Sequence, residues 1–256
     1  MEHSERELTP QELAKIEAET RKLEAEAKFD MAKGEGEIAK IKAETKKLEA
    51  EAAEAESKAL VAKLSADKAE RDTKELLAGN KYHHVYRFIT QVDDKSVTAC
   101  MNQLDIWNRT DPKGEATLIF TSPGGSVVDG MALWDYLAEF RANGNRLITV
   151  AQGMAASMAG ILLQAGDVRV MGKESYLLIH QVQAGMMGSY GELQDRMKWL
   201  DMTQERILDI FAGRASEVTG KTFAATRKYI KSNWSRTDWW IDSKEALNQG
   251  FVDEVR

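Results

Sequence analysis

Hydrophobic and polar positions fall into two patterns that meet near residue 80. From residue 82 onward, short apolar runs alternate with segments of helical period. YRFITQV (86–92) and ATLIFTS (116–122) predict strands, with a helix over 95–108 between them. Further along, a helix is predicted over 130–143, a strand for RLITVAQ (146–152), a helix over 155–165, and strands for VRVMG (168–172) and YLLIH (176–180). A long helix over 190–217, a shorter one over 223–233 and a helical turn over 243–249 complete the series. Strands and helices taking turns in this way predict a layered α/β domain.

Before residue 80 the pattern is helical and its apolar stripe is thin. Thr9 suits an N-cap, Pro10 the first helical position, and Glu12 can close a capping box onto Thr9. KIEAETRKLEAEA (15–27) recurs as KIKAETKKLEAEA (40–52), identical at 11 of 13 positions, which is an internal repeat. Ile16, Thr20, Leu23 and Ala27 follow the alternating spacing of a coiled-coil seam, and Ile41, Thr45, Leu48 and Ala52 repeat it. The offset of 25 residues is three heptads plus four, a stutter, and Gly34 and Gly36 between the copies predict a break or hinge. Leu76, Leu77 and Gly79 predict the helix C-terminus, with Asn80 opening the next region. Two readings of this arm stay open: a solvated helix held by i,i+4 charge pairs, or a multistranded coil whose Ala and Thr seam buries little area.

Composition sharpens the division. Residues 1–80 hold 15 Lys plus Arg, 20 Asp plus Glu and one aromatic, Phe29, whereas all six tryptophans lie in 81–256. A segment so poor in large apolar residues cannot build a core. The expected organisation is therefore a helical, repeat-containing, coiled-coil-like arm over 1–80 and a globular domain over 81–256. The single Cys100 excludes an intrachain disulfide and fits a reducing compartment. The start of the chain lacks the apolar stretch of a signal peptide, and no run approaches the roughly 18 to 20 apolar residues that cross a bilayer. A soluble, cytoplasmic protein is expected. The net charge of −6, with lysines interleaved among glutamates, gives no reason to expect nucleic-acid or membrane partners.

Three segments of the globular domain can carry chemistry. TSPGGSV (121–127) takes a strand through a Pro-Gly-Gly turn into a helix, and paired glycines there allow positive φ and unobstructed backbone N–H groups. GMAASMAG (153–160) places Ser157 where a strand gives way to a helix, whose first N–H groups and dipole favour developing negative charge. The plain alternative is that Ser157 is an ordinary N-cap. LLIHQ (177–181) ends an apolar strand on His180. His83 and His84, beside the arm, read as structural.

Together the segments resemble the Clp protease proteolytic subunit family, ClpP. Its members carry a Ser-Pro-Gly-Gly turn, a nucleophile motif ending in Ala-Ala-Ser-Met and an Ile-His-Gln-Pro segment; this chain has SPGG at 122–125, AASM at 155–158 and IHQ at 179–181. EALNQGFVDEV (245–255) is similar to the family's closing pattern, and the resemblance runs from about Val85 to Val255. It implies a layered fold of repeated β-β-α units, Ser157 as nucleophile, His180 as general base, and the N–H groups of Gly125 and Met158 as oxyanion hole. It also implies a long helix that stacks two rings, a substrate bound as an added strand along the 121–127 turn, and no metal or other cofactor.

Three departures qualify the match. Val182 stands where the family has proline, which predicts a looser loop. Where the family's third catalytic residue, an aspartate, belongs, KYIKSNWSRTDWW (228–240) offers Asn233 or Trp234, and Asp238 is the nearest carboxylate. Asp238 serves equally well as a turn residue. The family's pore-lining N-terminal segment is absent in recognisable form and the arm stands in its place; ClpP-like proteins with altered or added termini occur among phage head-maturation proteases, and the resemblance implies one of these. The expected protein is a homo-oligomeric ring-forming serine endopeptidase acting on polypeptides, with capsid or scaffold proteins as partners. The rivals are a subunit working with a Clp ATPase and an inactive structural subunit. A crotonase-type acyl-CoA enzyme and a Ser-Lys signal-peptide peptidase fit the Ser157 and His180 pair less well.

Overall fold

The structure is a computed structural model that describes residues 10–235 and 238–256. The chain divides between Lys74 and Glu75 into two compact units.

Among the described residues, the first unit contains one helix, α1 (Pro10–Ala78), which continues beyond the unit boundary. It runs unbroken through Gly34 and Gly36, so the hinge expected there is absent. A single exposed glycine costs a helix about 1 kcal/mol relative to alanine, and the Ala, Glu, Lys and Ile residues on both sides outweigh that. Over 11–78 its residues are exposed apart from partial cover at Glu12 and Gly34. Thr20, Thr45 and Thr73 each donate their hydroxyl to the carbonyl four residues back, at 2.8–2.9 Å. Each therefore satisfies its polar atom within the helix. The Thr9 cap lies outside the described residues. The helix ends as expected, the Gly79 N–H turning back to the Leu76 carbonyl at 3.2 Å.

The second unit is built on a seven-stranded sheet. Strands β1 (Val85–Phe88), β2 (Glu115–Ser122), β3 (Arg146–Ala156), β4 (Val168–Met171) and β7 (Glu254–Val255) lie side by side and all pair in parallel. β5 (Tyr176–Ile179) joins the far end of β3 in parallel, and β6 (Trp239–Asp242) pairs antiparallel with β5. β3 is longer than its apolar run predicts, and this length positions the site. Its first half, Ile148 to Ala151, pairs with β4; after Gly153 its second half, Met154 to Ala156, pairs with β5. The Gly153 N–H is held at the divide by the Ser175 hydroxyl at 2.9 Å. The helix expected from 155 accordingly starts later, because Ala155 and Ala156 are claimed by strand pairing.

Helices cover the sheet. α2 (Asp94–Thr110) starts at a capping box in which Asp93 and Ser96 exchange bonds of 2.8 and 3.0 Å, and it buries Val97, Cys100, Leu104 and Trp107 along one stripe. α3 (Val127–Ala142) follows the N-cap Ser126. The short α4 (Met158–Leu163) is fully buried, as a helix with apolar residues on every side must be. α5 (Tyr190–Thr219) is capped by Ser189 and Glu192 and closed by Gly220 in the left-handed conformation. α6 (Phe223–Trp234) and α7 (Ser243–Asn248) complete the unit.

The C-terminal segment is fastened by an ion pair whose arginine is buried and whose aspartate is half-buried. Arg169 on β4 is fully buried; its Nε and Nη2 donate to Asp253 at 3.0 and 2.6 Å, and its Nη1 to the Gly250 carbonyl at 2.9 Å. Partial burial pushes the Asp253 carboxyl up, but the bonds from Arg169 outweigh this and hold it below its usual range. This explains physically why the closing segment contains an aspartate: it neutralises a buried guanidinium.

Candidate active site

Ser157, placed by the sequence at a helix start, sits between the end of β3 and α4 with φ 53° and ψ −123°. A non-glycine residue rarely adopts this conformation, which costs on the order of 1–3 kcal/mol and persists only where the surroundings enforce it. Strand pairing is the enforcement: the Ser157 N–H donates to the Leu178 carbonyl of β5 at 3.0 Å. Its side chain makes no capping bond. The ordinary N-cap reading therefore does not describe this serine, whose hydroxyl stays available.

Opposite Ser157 lies the Pro-Gly-Gly turn, pinned to the chain after β1. Val92 donates its N–H to the Gly124 carbonyl at 2.9 Å and accepts the Ser126 N–H at 2.8 Å. In this parallel bridge both bonds flank Gly125, so the N–H of Gly125 points away from Val92. Glycine is required at both positions. With φ +88°, a Cβ on Gly124 would lie 2.6 Å from the Ser157 Cβ; with φ +152°, one on Gly125 would lie 2.2 Å from the Val92 carbonyl. Beneath the turn, Ser122 is fully buried, donates to the Thr90 carbonyl at 2.6 Å and accepts the Gly124 N–H at 3.2 Å. Met158 opens α4, so its N–H has no partner within that helix.

Ser157, Met158, Gly125 and His180 line one cavity of about 340 Å³. Its remaining walls include Gln91, Pro123 and the apolar Ile161, Ile207 and Phe211. The sequence pattern gave no sign of Gln91 or of the two α5 residues, because their approach depends on how β1 and α5 pack. Val182 also lines the cavity, and its N–H donates to Gln204 of α5 at 3.2 Å. Proline could not make that bond, so the loop that the substitution was expected to loosen is tethered instead.

Asp238 is exposed and does not line the cavity. Asn233 donates to the Tyr229 carbonyl of its own helix at 2.9 Å, and Trp234 is buried, 2% exposed. Neither lines the cavity, and among the described lining residues there is no carboxylate. The Nδ1 of His180 is buried and, among the described residues, has no hydrogen-bond partner. Cys100, the chain's one thiol, is buried on the inner face of α2, and burial pushes its pKa far up, so it offers no competing nucleophile. Among the described residues, no helix is long and apolar enough to cross a membrane.

Known proteins match this unit closely. The sequence model of the family described as Clp protease matches residues 80–256. The chain is 35% identical over 167 residues to the ATP-dependent Clp protease proteolytic subunit 2 of Tropheryma whipplei (strain Twist), a match covering 64% of this chain and 86% of the relative. It is 32% identical over 169 residues to the ATP-dependent Clp protease proteolytic subunit 1 of Leifsonia xyli, covering 65% and 80%. With the ATP-dependent Clp protease proteolytic subunit of Bacteroides fragilis the figures are 29% over 171 residues, 65% and 75%. A serine held in a strained turn, a histidine on the same cavity and a family match spanning the whole globular unit lead to one conclusion: this chain belongs to the Clp protease family and is a ClpP-like serine peptidase.

Proposed function

We propose that Ser157 is the nucleophile of this peptidase, His180 its general base, and the N–H groups of Gly125 and Met158 its oxyanion hole. The observation that carries the proposal is the conformation of Ser157, strained and uncapped, on a cavity shared with an imidazole. His180 would take the Ser157 proton as the hydroxyl oxygen attacks the scissile carbonyl, then return it to the leaving amine; water would release the acyl group by the same route. The two N–H donors would hold the negative oxygen at the moment it forms. The apolar wall of Ile161, Ile207 and Phe211 suits an apolar side chain next to the cleaved bond.

For the orienting group, the proposal is a Ser-His pair that no carboxylate serves within the single chain, supported by the unpartnered Nδ1 of His180. The alternative keeps Asp238 as third member. Loss of a true orienting carboxylate lowers kcat by about 10⁴-fold. Near-normal turnover of Asp238→Asn is expected, and a fall of that size would establish the triad. The nucleophile itself is tested with a serine-directed phosphonate and intact-mass measurement. Wild type should gain one adduct and Ser157→Ala none, and undiminished labelling of the variant refutes the assignment.

The exposed Met197, Trp199 and Met202 on α5 support assembly of copies into rings, with stacked rings formed through this helix. For the biological role the proposal is processing of capsid or scaffold proteins during phage head maturation, in the prohead or host cytoplasm. The charged helical arm preceding the peptidase supports it, as a tether that keeps the enzyme near its substrate. The relatives' names, ATP-dependent proteolytic subunits, support a Clp ATPase partner instead. Cleavage of a folded capsid protein without nucleotide favours the first reading; cleavage that needs an ATPase and ATP favours the second.

A further inference from the structure

The charges of α1 are sorted by face. From Leu13 the alternating steps of three and four run through Ile16, Thr20, Leu23 and Ala27; one extra step of four reaches Met31, and the alternation resumes through Ile38 and Ile41 to Ala52. No charged residue falls on this seam, although charged residues fill 19 of the 40 positions from 13 to 52. The positions that border the seam, one before each residue of one row and one after each residue of the other, hold Glu12, Glu17, Glu19, Glu24, Glu26, Asp30, Glu35, Glu37, Lys42, Glu44, Glu49 and Glu51. Eleven of these twelve are acidic, and they include every acidic residue of 12–52. The other basic residues lie farther round the helix, where Lys22 and Lys47 meet Glu26 and Glu51 at 4.0 and 3.6 Å. Every seam residue except the half-covered Gly34 is exposed, Leu23 at 62% and Ile41 at 63%. The seam threonines Thr20 and Thr45 have spent their hydroxyls on the helix, which leaves their methyl groups for packing.

We propose that residues 13–52 of α1 are a docking face for one amphipathic helix of another protein, with an apolar seam flanked by lysine or arginine. Border positions set partner choice in coiled coils because they meet across the interface. A second copy of this arm is the poorer occupant in either orientation. Paired in parallel, Glu12 would face Glu17, Glu19 would face Glu24 and Glu44 would face Glu49, with attraction only between Glu37 and Lys42. Antiparallel pairing brings the same acidic borders together. Like charges so placed select against self-association, and a basic-bordered helix turns each repulsion into attraction. The pattern stops after Ala52: the next border residues, Glu56, Lys58 and Lys63, mix signs, and Leu60, Val61 and Leu64 leave the seam. The inference rests on the reading of the arm as a tether and not on the chemistry at Ser157.

The test uses the full chain and two synthetic five-heptad peptides, both with Ile and Leu on the seam, one bordered by Lys and one by Glu. Fluorescence anisotropy should show the Lys-bordered peptide binding, with affinity falling as salt rises from low to high concentration, and the Glu-bordered peptide not binding. The seam variants Leu23→Asp with Ile41→Asp, and separately Leu23→Ala with Ile41→Ala, should weaken binding tenfold or more while helix content by circular dichroism and small-peptide hydrolysis stay unchanged. Unchanged binding in the seam variants would reduce the effect to charge attraction alone and overturn the proposal, as would failure of the Lys-bordered peptide to bind. Cross-linking between copies through Leu23→Cys that the Lys-bordered peptide does not suppress would assign the seam to a second copy and equally overturn it.

Discussion

Lys58 and Glu54 on the arm meet at 2.6 Å, the same separation as Arg169 and Asp253 in the peptidase unit. The arm pair is 74% and 67% exposed, whereas Arg169 is wholly buried. In water the first pair contributes about 0.3–0.5 kcal/mol, and removing either partner leaves the other solvated. In the unit's interior, removing Asp253 would strand a charge with no solvent to receive it. An ion pair of the same length is thus nearly dispensable in one region and structural in the other. The exposed charges of the arm bear little on whether the chain folds, whereas the buried charge of Arg169 bears on it directly.

The largest expected effect lies at the cavity. Ser157→Ala should lower kcat for a short peptide by on the order of 10⁶-fold, as loss of the nucleophile does in serine proteases, with thermal unfolding unchanged. Residual turnover within a hundredfold of wild type would move the chemistry elsewhere. Next comes Asp253→Asn, expected to lower unfolding free energy by about 1.5–3 kcal/mol in denaturant titration, because Arg169 keeps its burial and loses its counterion. The folded-state carboxyl lies below its usual range, so its contribution is present above about pH 4 and is lost as pH falls through the depressed pKa. The variant should lack that acid-sensitive part of the stability curve.

Gly125→Ala should cost about 10²–10³-fold in kcat, since a Cβ pressing on the Val92 carbonyl displaces the N–H that the oxyanion needs. A KM change without a kcat change would show that the turn binds substrate but does not stabilise the transition state. On the arm the effects shrink. Gly34→Ala with Gly36→Ala should raise helix stability by about 1 kcal/mol per site, read as increased helix content on heating, with no change in hydrolysis. A chain starting at Asn80 should hydrolyse small peptides at the wild-type rate. Loss of folding or of activity in that chain would erase the contrast between the two regions.

Several elements were legible because local chemistry alone specifies them. The arm's helix follows from Ala, Glu and Lys content, and α2, α5 and the buried strands β2 and β4 follow from period and caps. The two glycines of the turn were readable because few residues other than glycine tolerate that backbone. Some local signals misled: Gly34 and Gly36 promised a hinge that their neighbours suppress, and GMAASMAG promised a helix from 155, where pairing with β5 holds the chain as strand. β6 and β7 were missed, since four and two residues carry no period of their own.

By itself the sequence determined which residues can do chemistry, that the arm cannot form a core, and how its charges are sorted around a helix. Those are properties of residue types and of a fixed helical repeat, and they need no partner. Only the tertiary structure decided that Ser157 is strained rather than a cap, because its φ is imposed by a bond to β5, a strand about twenty residues away in sequence. It likewise decided that Gly125 faces the cavity, that Val182 is tied to α5, and that Asp238, next to the Trp239 that pairs with Ile179, is not among the cavity's lining residues. Each of these depends on which distant backbone groups meet, and that is settled by packing the whole sheet.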